Sequence, residues 1–538
     1  MLNQEIQDLL SRQSRLKGQR DTWMDHWQDL AEVFLPGRAD FTVQRTAGER
    51  RTERIFDSTP MIARRGLSAT LDSLLKPRSQ RWFTVFTGED ALDEDREVKV
   101  WLDVVNERLW RSLYNPRSRF SQRSAETDDD LTTFGSGVLL ILEGRDRLVF
   151  RSLHLKRVVF AEDEDGQIDT LMIEMEPTVR QAAQRYGLEN LGAKSRELLS
   201  GSRPQPDKRI KVLWTIQPRG ERDPRSADNR DFAFSSTVID VESEHVIAES
   251  GFREFPAAVP RWDTRAEELY GRSPAMLALP DANTLQQMGK TNLIAGHKVA
   301  DPPLLAASDA VFGTPRTFPG GVTYFDAAMA RDLGGRVVTP LQTGGNIPLT
   351  REMQNDTRDQ IFAAFFRNVL NLPIDAPQMT ATEVLERKDE FIRTIGPVFS
   401  RLEDDYPAVI VRRAFRILLR AGVFPPPPER LRQRSIRFRF QSAVEQSRRQ
   451  IEAAGAARAF ELMAPLGSVQ PEIWDNFDGD RMARDVPETF GLPTKWMRDL
   501  ETRDGLRTAR AEAQQQAEAL ATAGATAEIA ATAAKAQG

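Results

Sequence analysis

Apolar residues recur at spacings of three and four through the first part of the chain, then at every second position from about residue 136. In "DTWMDHWQDLAEVFLP", Trp23, Trp27, Leu30 and Phe34 form one helical stripe, which Pro36 and Gly37 end. "FDSTPMIARRGLSATLDSLLKPRSQRWFTV" predicts a second helix, with Ser58 or Thr59 as cap and Pro60 in the first turn. Ile62, Leu67, Leu71, Leu74 and Leu75 form its expected buried face, and Pro77 stops it. "RWFTVF" reads as a short strand and "DREVKVWLDVVNERLWRSLY" as a return to helix. From 136 to 262, "SGVLLILE", "RLVFRSLHLKRVVFAED", "IDTLMIEMEP", "KRIKVLWTIQP" and "STVIDVESEHVIAES" are β-rich runs separated by Gly, Asp and Pro turns. "PTVRQAAQRYG" and "SRELLSG" interrupt them as helices, so the pattern predicts an α+β body in a mainly helical chain.

"YGRSPAMLALPDANTLQQMGKTNLIAGHKVADPP" predicts a long helix stopped by Pro302 and Pro303. A Gly- and Pro-rich segment runs to about residue 347, with "GVTYFD" and "GRVVTPL" as strand candidates. "LTREMQNDTRDQIFAAFFRNVL" follows, polar nearly all round in its first half and carrying Ile361, Phe362, Phe365, Phe366 and Val369 in its second. A helix polar on all sides belongs in water or in an assembly with charged neighbours. A third helix runs from Ala381 toward Arg420, roughly 60 Å at helical rise. Leu385, Ile392, Ile395, Phe399, Leu402, Tyr406 and Val409 mark its stripe, with kinks expected at Gly396-Pro397 and Pro407. Its start, "MTATEVLERKDEF", holds a capping box, Thr380 with Glu383, and a hydrophobic staple, Met379 with Val384. Such a cap is worth about 0.5 to 2 kcal/mol and fixes the root of the preceding loop, "NLPIDAPQM". The run "PPPP" at 425–428 ends the helix, "SIRFRF" reads as a half-buried strand with one basic face, and the last residues are Ala-rich.

At 538 residues the chain has material for three or four domains. Hydrophobic residues at 40% and charged ones at 28% place it with ordinary globular proteins. No run approaches the ~18 apolar residues of a spanning helix, and the amino terminus lacks the pattern of a secretory signal, so a cytoplasmic product is expected. Cysteine is absent, which removes disulfides and thiol chemistry, and the four histidines are far apart in sequence. Lys plus Arg total 74 against 79 Asp plus Glu, a net charge of -5. That balance argues against a tight static grip on DNA phosphates and permits passage of DNA past a surface.

Motifs for catalysis fail on spacing. "GKT" at 289–291 lacks the earlier glycine of a phosphate loop, Thr284 standing there, and lies in a predicted helix. "AEDEDG" at 161–166 starts with Ala161 where a calcium loop needs its first ligand, and reads as an acidic turn. "GSG" at 135–137 lacks the third glycine of a dinucleotide fingerprint, and neither G-x-S-x-G nor H-E-x-x-H occurs. "DDD" at 128–130 is weighed between metal-assisted phosphoryl chemistry and a charged helix face, and the face is favoured. The basic clusters "KPRSQR" and "RLRQRSIRFRF" read as solvated faces or partners for acidic runs. No catalytic residue, metal or cofactor is expected.

Taken in order, "FDSTPMIARRGLSATLDSLLKPRSQRWF", "YGRSPAMLALPD", "MTATEVLERKDEF" with "GPVFSRLEDDYP", and the Pro-rich stop at 422–428 resemble the portal, or head-to-tail connector, proteins of short-tailed, podovirus-type bacteriophages. The resemblance reaches about residue 500. It implies a portal fold with subunits in a ring, typically of twelve, at one capsid vertex. Double-stranded DNA enters through the channel during packaging and leaves through it into the tail. Mapped on this chain, it implies a wing at 1–275, stem helices at 276–300 and 349–370, and a clip at 301–348. A channel loop is implied at 371–380, a long kinked wing helix at 381–424 and wing end with crown at 425–500. The Ala-rich tail at 501–538 is left as a crown or barrel helix or as disordered. The channel loop would comprise Asn371, Leu372, Pro373, Ile374, Asp375, Ala376, Pro377, Gln378 and Met379, anchored by Thr380 and Glu383. Lys290, Lys298, Arg351, Arg358 and Arg367 are candidates for weak phosphate contact. Implied partners are further copies of the chain, DNA in transit, the terminase large subunit, head–tail adaptor and tail proteins, and the major capsid and scaffolding proteins, with no membrane. The implied location is the virion, with host cytoplasm during assembly. Two alternatives stand beside this reading: a structural virion protein outside the channel, such as a scaffold or tail component, and a DNA-processing enzyme.

Overall fold

The computed structural model describes residues 2–306 except 45, 47, 79, 80, 94, 145, 146, 202 and 224, then 338–340, 347–367, 396–431 and 436–440, with 324, 326, 328, 331 and 434 singly. Further on it describes 455–456, 458–465, 470–489, 498 and 502–517. The chain divides into two units: Met1–Trp82 with Glu107–Phe424, and Phe83–Asn106 with Pro425–Gly538.

The first unit is α+β. Its long helices are α1 (Leu2–Phe34), α2 (Thr59–Leu75), α3 (Phe120–Phe134), α4 (Pro274–Ala300), α5 (Ile347–Ala364) and α6 (Pro407–Arg420). The period-two region forms strands β1 (Leu139–Glu143), β2 (Leu148–Ser152), β3 (Val158–Glu162), β4 (Ile168–Met175), β5 (Val212–Pro218), β6 (Phe234–Asp240), β7 (His245–Phe252) and β8 (Ala257–Ala258). β3 to β7 make a five-stranded antiparallel meander in chain order, and β2-β1-β8 make a smaller sheet. The run "RLVFRSLHLKRVVFAED" is thus two strands in two sheets, divided by a turn at Leu155–Arg157 where the Lys156 amide donates to His154 Nδ1 (3.1 Å).

The expected stripe of α1 is the core. Trp27, Leu30 and Phe34 are fully buried, and Trp27 meets Phe41, Phe134 and Tyr270 at ring distances of 5.6, 6.5 and 5.1 Å. The first half of α1 lies on the meander, where Leu9, Leu10 and Leu16 pack against Val159, Met172 and Leu213. Polar ties flank this contact: Arg12 donates to Gln217 (2.7 Å) and Lys17 pairs with Glu174 (3.0 Å).

Several expectations are corrected. In α2, Leu67, Leu71 and Leu75 are buried, but Ile62 is 55% exposed. At 100° per residue Ile62 stands about 140° around the helix from Leu67, off the stripe. Neither Ser58 nor Thr59 caps α2 with its side chain; Asp57 Oδ1 accepts from the Thr59 amide (2.8 Å) instead. The helix expected at 349–370 ends at Ala364, because Phe366 is left-handed (φ 58°) and Phe365 turns onto Phe34 (5.6 Å). The kink expected at Pro407 is present as a break at Tyr406. Val338–Pro340 of the candidate "GRVVTPL" pairs with Leu304–Ala306, while four of the six residues of "GVTYFD" lie outside the described residues. "AEDEDG" is an acidic hairpin turn, the Asp165 and Gln167 amides donating to Asp163. Among the described residues no helix is long and apolar enough to cross a membrane.

In the second unit, Phe83–Phe86 pairs antiparallel with Arg437–Phe440, Phe83 opposite Phe440. Arg437 and Arg439 are exposed and the phenylalanines half-buried, as the alternation predicts. Arg434 pairs with Glu89 (2.9 Å) and Arg430 with Asp95, so this basic cluster partners acidic residues. Residues 502–517 are helical, and Arg507 reaches Asp480 with two bonds of 2.6 Å.

Candidate functional site

The candidate site is the pair of long helices α4 and α5 and the residues that root it. Ser273 caps α4 by accepting from the Met276 amide (3.1 Å), and Pro274 occupies its first turn. Pro280 falls inside the helix, yet α4 continues for 27 residues, about 40 Å. "GKT" lies within it, as expected for a helix rather than a phosphate loop. Ala275, Ala278, Ala282 and Leu285 bury the first half against the body. Along its length Leu277, Leu293, Ile294 and Val299 stand exposed, at 72, 54, 47 and 63%.

Asp57 is the root. Its carboxylate accepts from the Arg358 guanidinium through Nε (3.0 Å) and Nη2 (2.7 Å) and from the Thr59 amide. Gln286 of α4 accepts from the Phe56 and Asp57 amides (2.7 and 3.0 Å) and donates to the Asp57 carbonyl (2.7 Å). One turn of chain, "FDSTP", therefore joins α2, α4 and α5. Gly289 permits the approach, since a Cβ there would meet Phe56 Cβ at 3.0 Å. Burial pushes the Asp57 carboxyl up, but the bonds from Thr59 and Arg358 outweigh it and leave it below its ordinary value. Asp57→Ala should cost about 2–4 kcal/mol, combining a lost cap with a lost charge-assisted bond, and Asp57→Asn distinctly less because asparagine also caps. Urea midpoints test this; an alanine variant as stable as the parent would remove Asp57 from its role.

The phosphate-contact candidates have different fates. Lys290, Lys298 and Arg351 are exposed. Arg351 and Arg358 lie two turns apart on one face of α5, but Arg358 is held by Asp57 and Asn355. Arg367 lies over the Phe362 ring (4.1 Å). The loop Asn371, Leu372, Pro373, Ile374, Asp375, Ala376, Pro377, Gln378 and Met379, and its cap Thr380 and Glu383, lie outside the described residues.

Two further contacts tie the body together, and neither is visible in local spacing. The acidic run "DDD" is not a charged face: Asp128 and Asp130 are fully buried, because α2 and strands close over α3 on several sides. Each aspartate has its own cation. Lys76, itself buried, bonds both oxygens of Asp128 at 2.7 Å, Arg64 pairs with Asp129, and Arg38 pairs with Asp130. The Lys76 ammonium also lies 4.2 Å from the Tyr406 ring, whose hydroxyl donates to the Ser124 carbonyl (3.1 Å). Lys76 of "KPRSQR" is thus structural, and among the described residues no group of carboxylates and histidines could hold a metal. Burial raises the Asp128 carboxyl and Lys76 draws it back, leaving it at about 6. The second contact joins Gly135 and Gly271, whose backbones touch: a Cβ on Gly135 would lie 2.1 Å from the Gly271 carbonyl oxygen, and one on Gly271 2.3 Å from that of Gly135. The Gly271 amide donates to Ser136 Oγ (2.9 Å) and Ser273 Oγ to the Thr133 carbonyl (2.7 Å), which fixes the start of α4.

These contacts join an α+β body to a pair of long helices through the Asp57–Arg358 pair, the Gln286 hydrogen bonds and glycine-to-glycine packing. The model of the bacteriophage head to tail connecting protein family matches residues 6–497, and the chain belongs to that family. It is 30% identical over 518 residues to a probable portal protein of Bordetella phage BPP-1, covering 95% of this chain and 92% of that one. It is 29% identical over 531 residues to a portal protein of Salmonella phage epsilon15, covering 97% and 94%. Among solved structures, a chain described as "Virion of native gene transfer agent (GTA) particle" aligns with a TM-score of 0.33 at 10% identity, covering 79% of this chain and 92% of that one, a likeness too distant to carry an argument.

Proposed function

We propose that this chain is a phage portal protein, twelve copies of which form a ring at one capsid vertex and pass double-stranded DNA during packaging and ejection. The observation that carries this is the family match over nearly the whole chain, with two phage portal proteins as relatives that are covered over 92 and 94% of their own length. In this reading α4 and α5 are the stem and residues 301–348 the clip, the docking site for terminase and then for the tail adaptor. Residues 1–275 and 381–424 serve as wing, 425–500 as wing end and crown, and 371–380 as channel loop. Leu277, Leu293, Ile294 and Val299, exposed on different sides of α4, support a stem that neighbouring copies cover on more than one side in the ring.

Negative-stain imaging with native mass is the test. An annular particle near twelve times 60.7 kDa with an axial hole is expected. A uniform monomer moves the test to co-expression with capsid components, and a compact oligomer without a hole overturns the reading. Within assembled particles, charge reversal at Lys290, Lys298, Arg351, Arg358 and Arg367 is expected to change the amount of DNA packaged or retained. Wild-type packaging in all five variants would defeat their assignment to the channel. Arg358→Glu must be read beside a stability measurement, because it also faces Asp57.

A further inference from the structure

A cleft of about 640 Å³ is lined by β2, the turn at Pro116–Ser118 and the start of α3. Leu148 and Phe150 of β2 are buried, so what the cleft presents is side chains rather than strand backbone. Arg117, Arg119, Arg123, Arg147 and Arg151 line it. Arg123 pairs with Glu126 (2.7 Å), and among the described residues no carboxylate pairs with the other four, all of which are exposed. Partial burial and the charges of Arg185 and Arg123 lower the Arg151 guanidinium from its ordinary value, against an opposing pull from Tyr186. α3 begins here without a side-chain cap, so its dipole adds to the positive field. In a chain of net charge -5, such a concentration of unpaired cations is a local exception.

The turn between β3 and β4 concentrates the opposite sign. Glu162, Asp163, Glu164 and Asp165 follow one another and are all exposed. Arg261 holds Glu162 (2.9 Å), and among the described residues no cation pairs with the other three. The turn is preformed: Asp163 Oδ1 accepts from the Asp165 and Gln167 amides (3.0 and 2.9 Å), and left-handed Gly166 (φ 76°) donates its amide to the Asp163 carbonyl (3.1 Å). One copy leaves both patches unmet. Arg261, which also donates to the Gly166 carbonyl (2.8 Å), pairs with Ser136 just past the end of α3, while Arg119 and Arg123 stand at its start. α3 has 15 residues, about 22 Å of helix.

We propose that the acidic turn of one copy docks into the arginine cleft of the next, a head-to-tail contact that repeats around the assembly. Two complementary patches at separate places on one chain are what a heterologous interface requires, and such contacts close into rings when the rotation allows. Arginine suits the task because its planar fork binds carboxylate with two parallel bonds. A turn already folded loses little freedom on docking. A second copy is favoured over nucleic acid because the chain itself carries the matching anion. The contact rests on the ring reading, since the neighbour it names is the next copy in that ring.

The test is sedimentation velocity on the purified full chain and two charge-reversed variants, with negative-stain images of each. Self-association of the parent is expected to weaken with salt. The cleft variant Arg147→Glu, Arg151→Glu and the turn variant Glu164→Arg, Asp165→Arg should each associate about tenfold or more weaker alone. Mixing the two should restore association, because the native turn of one meets the native cleft of the other and the reversed patches also match. Misfolded variants would not recover in this way. Unchanged association in both variants, no recovery on mixing, or no association of the parent at low salt overturns the proposal. Annular particles formed equally by all three chains would overturn this contact and leave the ring reading intact, whereas a compact oligomer without a hole that recovers on mixing would do the reverse. Release of the parent's association by a duplex oligonucleotide that the cleft variant does not bind would make the cleft a phosphodiester site and equally overturn the contact.

Discussion

Lys76→Met is expected to lower the stability of the first unit by about 3–5 kcal/mol at pH 7, because it leaves the Asp128 carboxylate buried without its cation. Methionine keeps most of the volume, so the loss is electrostatic rather than a cavity. The double variant Lys76→Met, Asp128→Asn should recover much of it, since removing both charges of a buried pair is far milder than removing one. The deficit of the single variant should shrink at pH 5, where the carboxyl escapes its burden by taking up a proton. Linkage gives the sign in the parent. Asp128 is raised to about 6, so the folded state binds more protons than the unfolded one between the ordinary carboxylate range and that value. Its contribution therefore improves as pH falls from 7 toward 5, and Asp128→Asn should remove that slope. Asp57 works in the opposite sense: its carboxyl is depressed, so its stabilisation is complete above the ordinary range and is lost as pH falls through the folded value. Urea midpoints across pH for the four chains decide the matter. A single variant as stable as the parent, or a double variant no better than the single, would sink the account.

Gly135→Ala should cost about 3 kcal/mol or more and loosen the root of α4. Two independent penalties add there. The residue is left-handed (φ 78°), which costs alanine about 1–2 kcal/mol, and its Cβ would press into the Gly271 carbonyl at 2.1 Å, an overpacking typically worth 1–3 kcal/mol. Backbone cannot swing aside as a flexible side chain does. Gly271→Ala meets the same wall from the other side, at 2.3 Å, without a left-handed penalty, and should be the milder of the two. Gly18→Ala is the control. It lies within α1 with nothing within 4 Å of the new methyl, so it should stabilise by about 0.5–1 kcal/mol. Opposite signs for Gly18 and Gly135 in thermal melting, with faster amide exchange near Ser273 only in the latter, are the expected pattern. Indifference at Gly135 would mean that the two backbones separate without cost.

The stretches that resemble the portal family become intelligible through these contacts. "FDSTP" holds Asp57, the tie to α4 and α5; "KPRSQR" begins with Lys76, which meets Asp128 and the Tyr406 ring of "LEDDYP"; and "YGRSP" supplies Gly271 against Gly135. Segments that look like separate local signatures are partners in three dimensions. Each is one half of a contact, so none carries the spacing of a metal, phosphate or dinucleotide motif.

The sequence by itself determined which stretches are helix and which are strand, and some of their ends. Periods of 3.6 and 2 are properties of neighbouring residues, so the stripe of Trp27, Leu30 and Phe34, the strands between 136 and 262, and the break at Pro407 were all readable in one dimension. Only the tertiary structure decided which side of an element meets the core and who partners whom. Ile62 is apolar, which predicts burial, and stands exposed. Asp128 and Asp130 are charged, which predicts a solvated face, and lie wholly buried. Phe83–Phe86 finds its partner strand at Arg437–Phe440, far along the chain from it. The physical reason is the same in each case: periodicity is enforced by backbone geometry within a few residues, whereas burial and pairing depend on groups brought from distant positions. A charge is tolerated inside only where such a group, like the Lys76 ammonium, arrives to meet it.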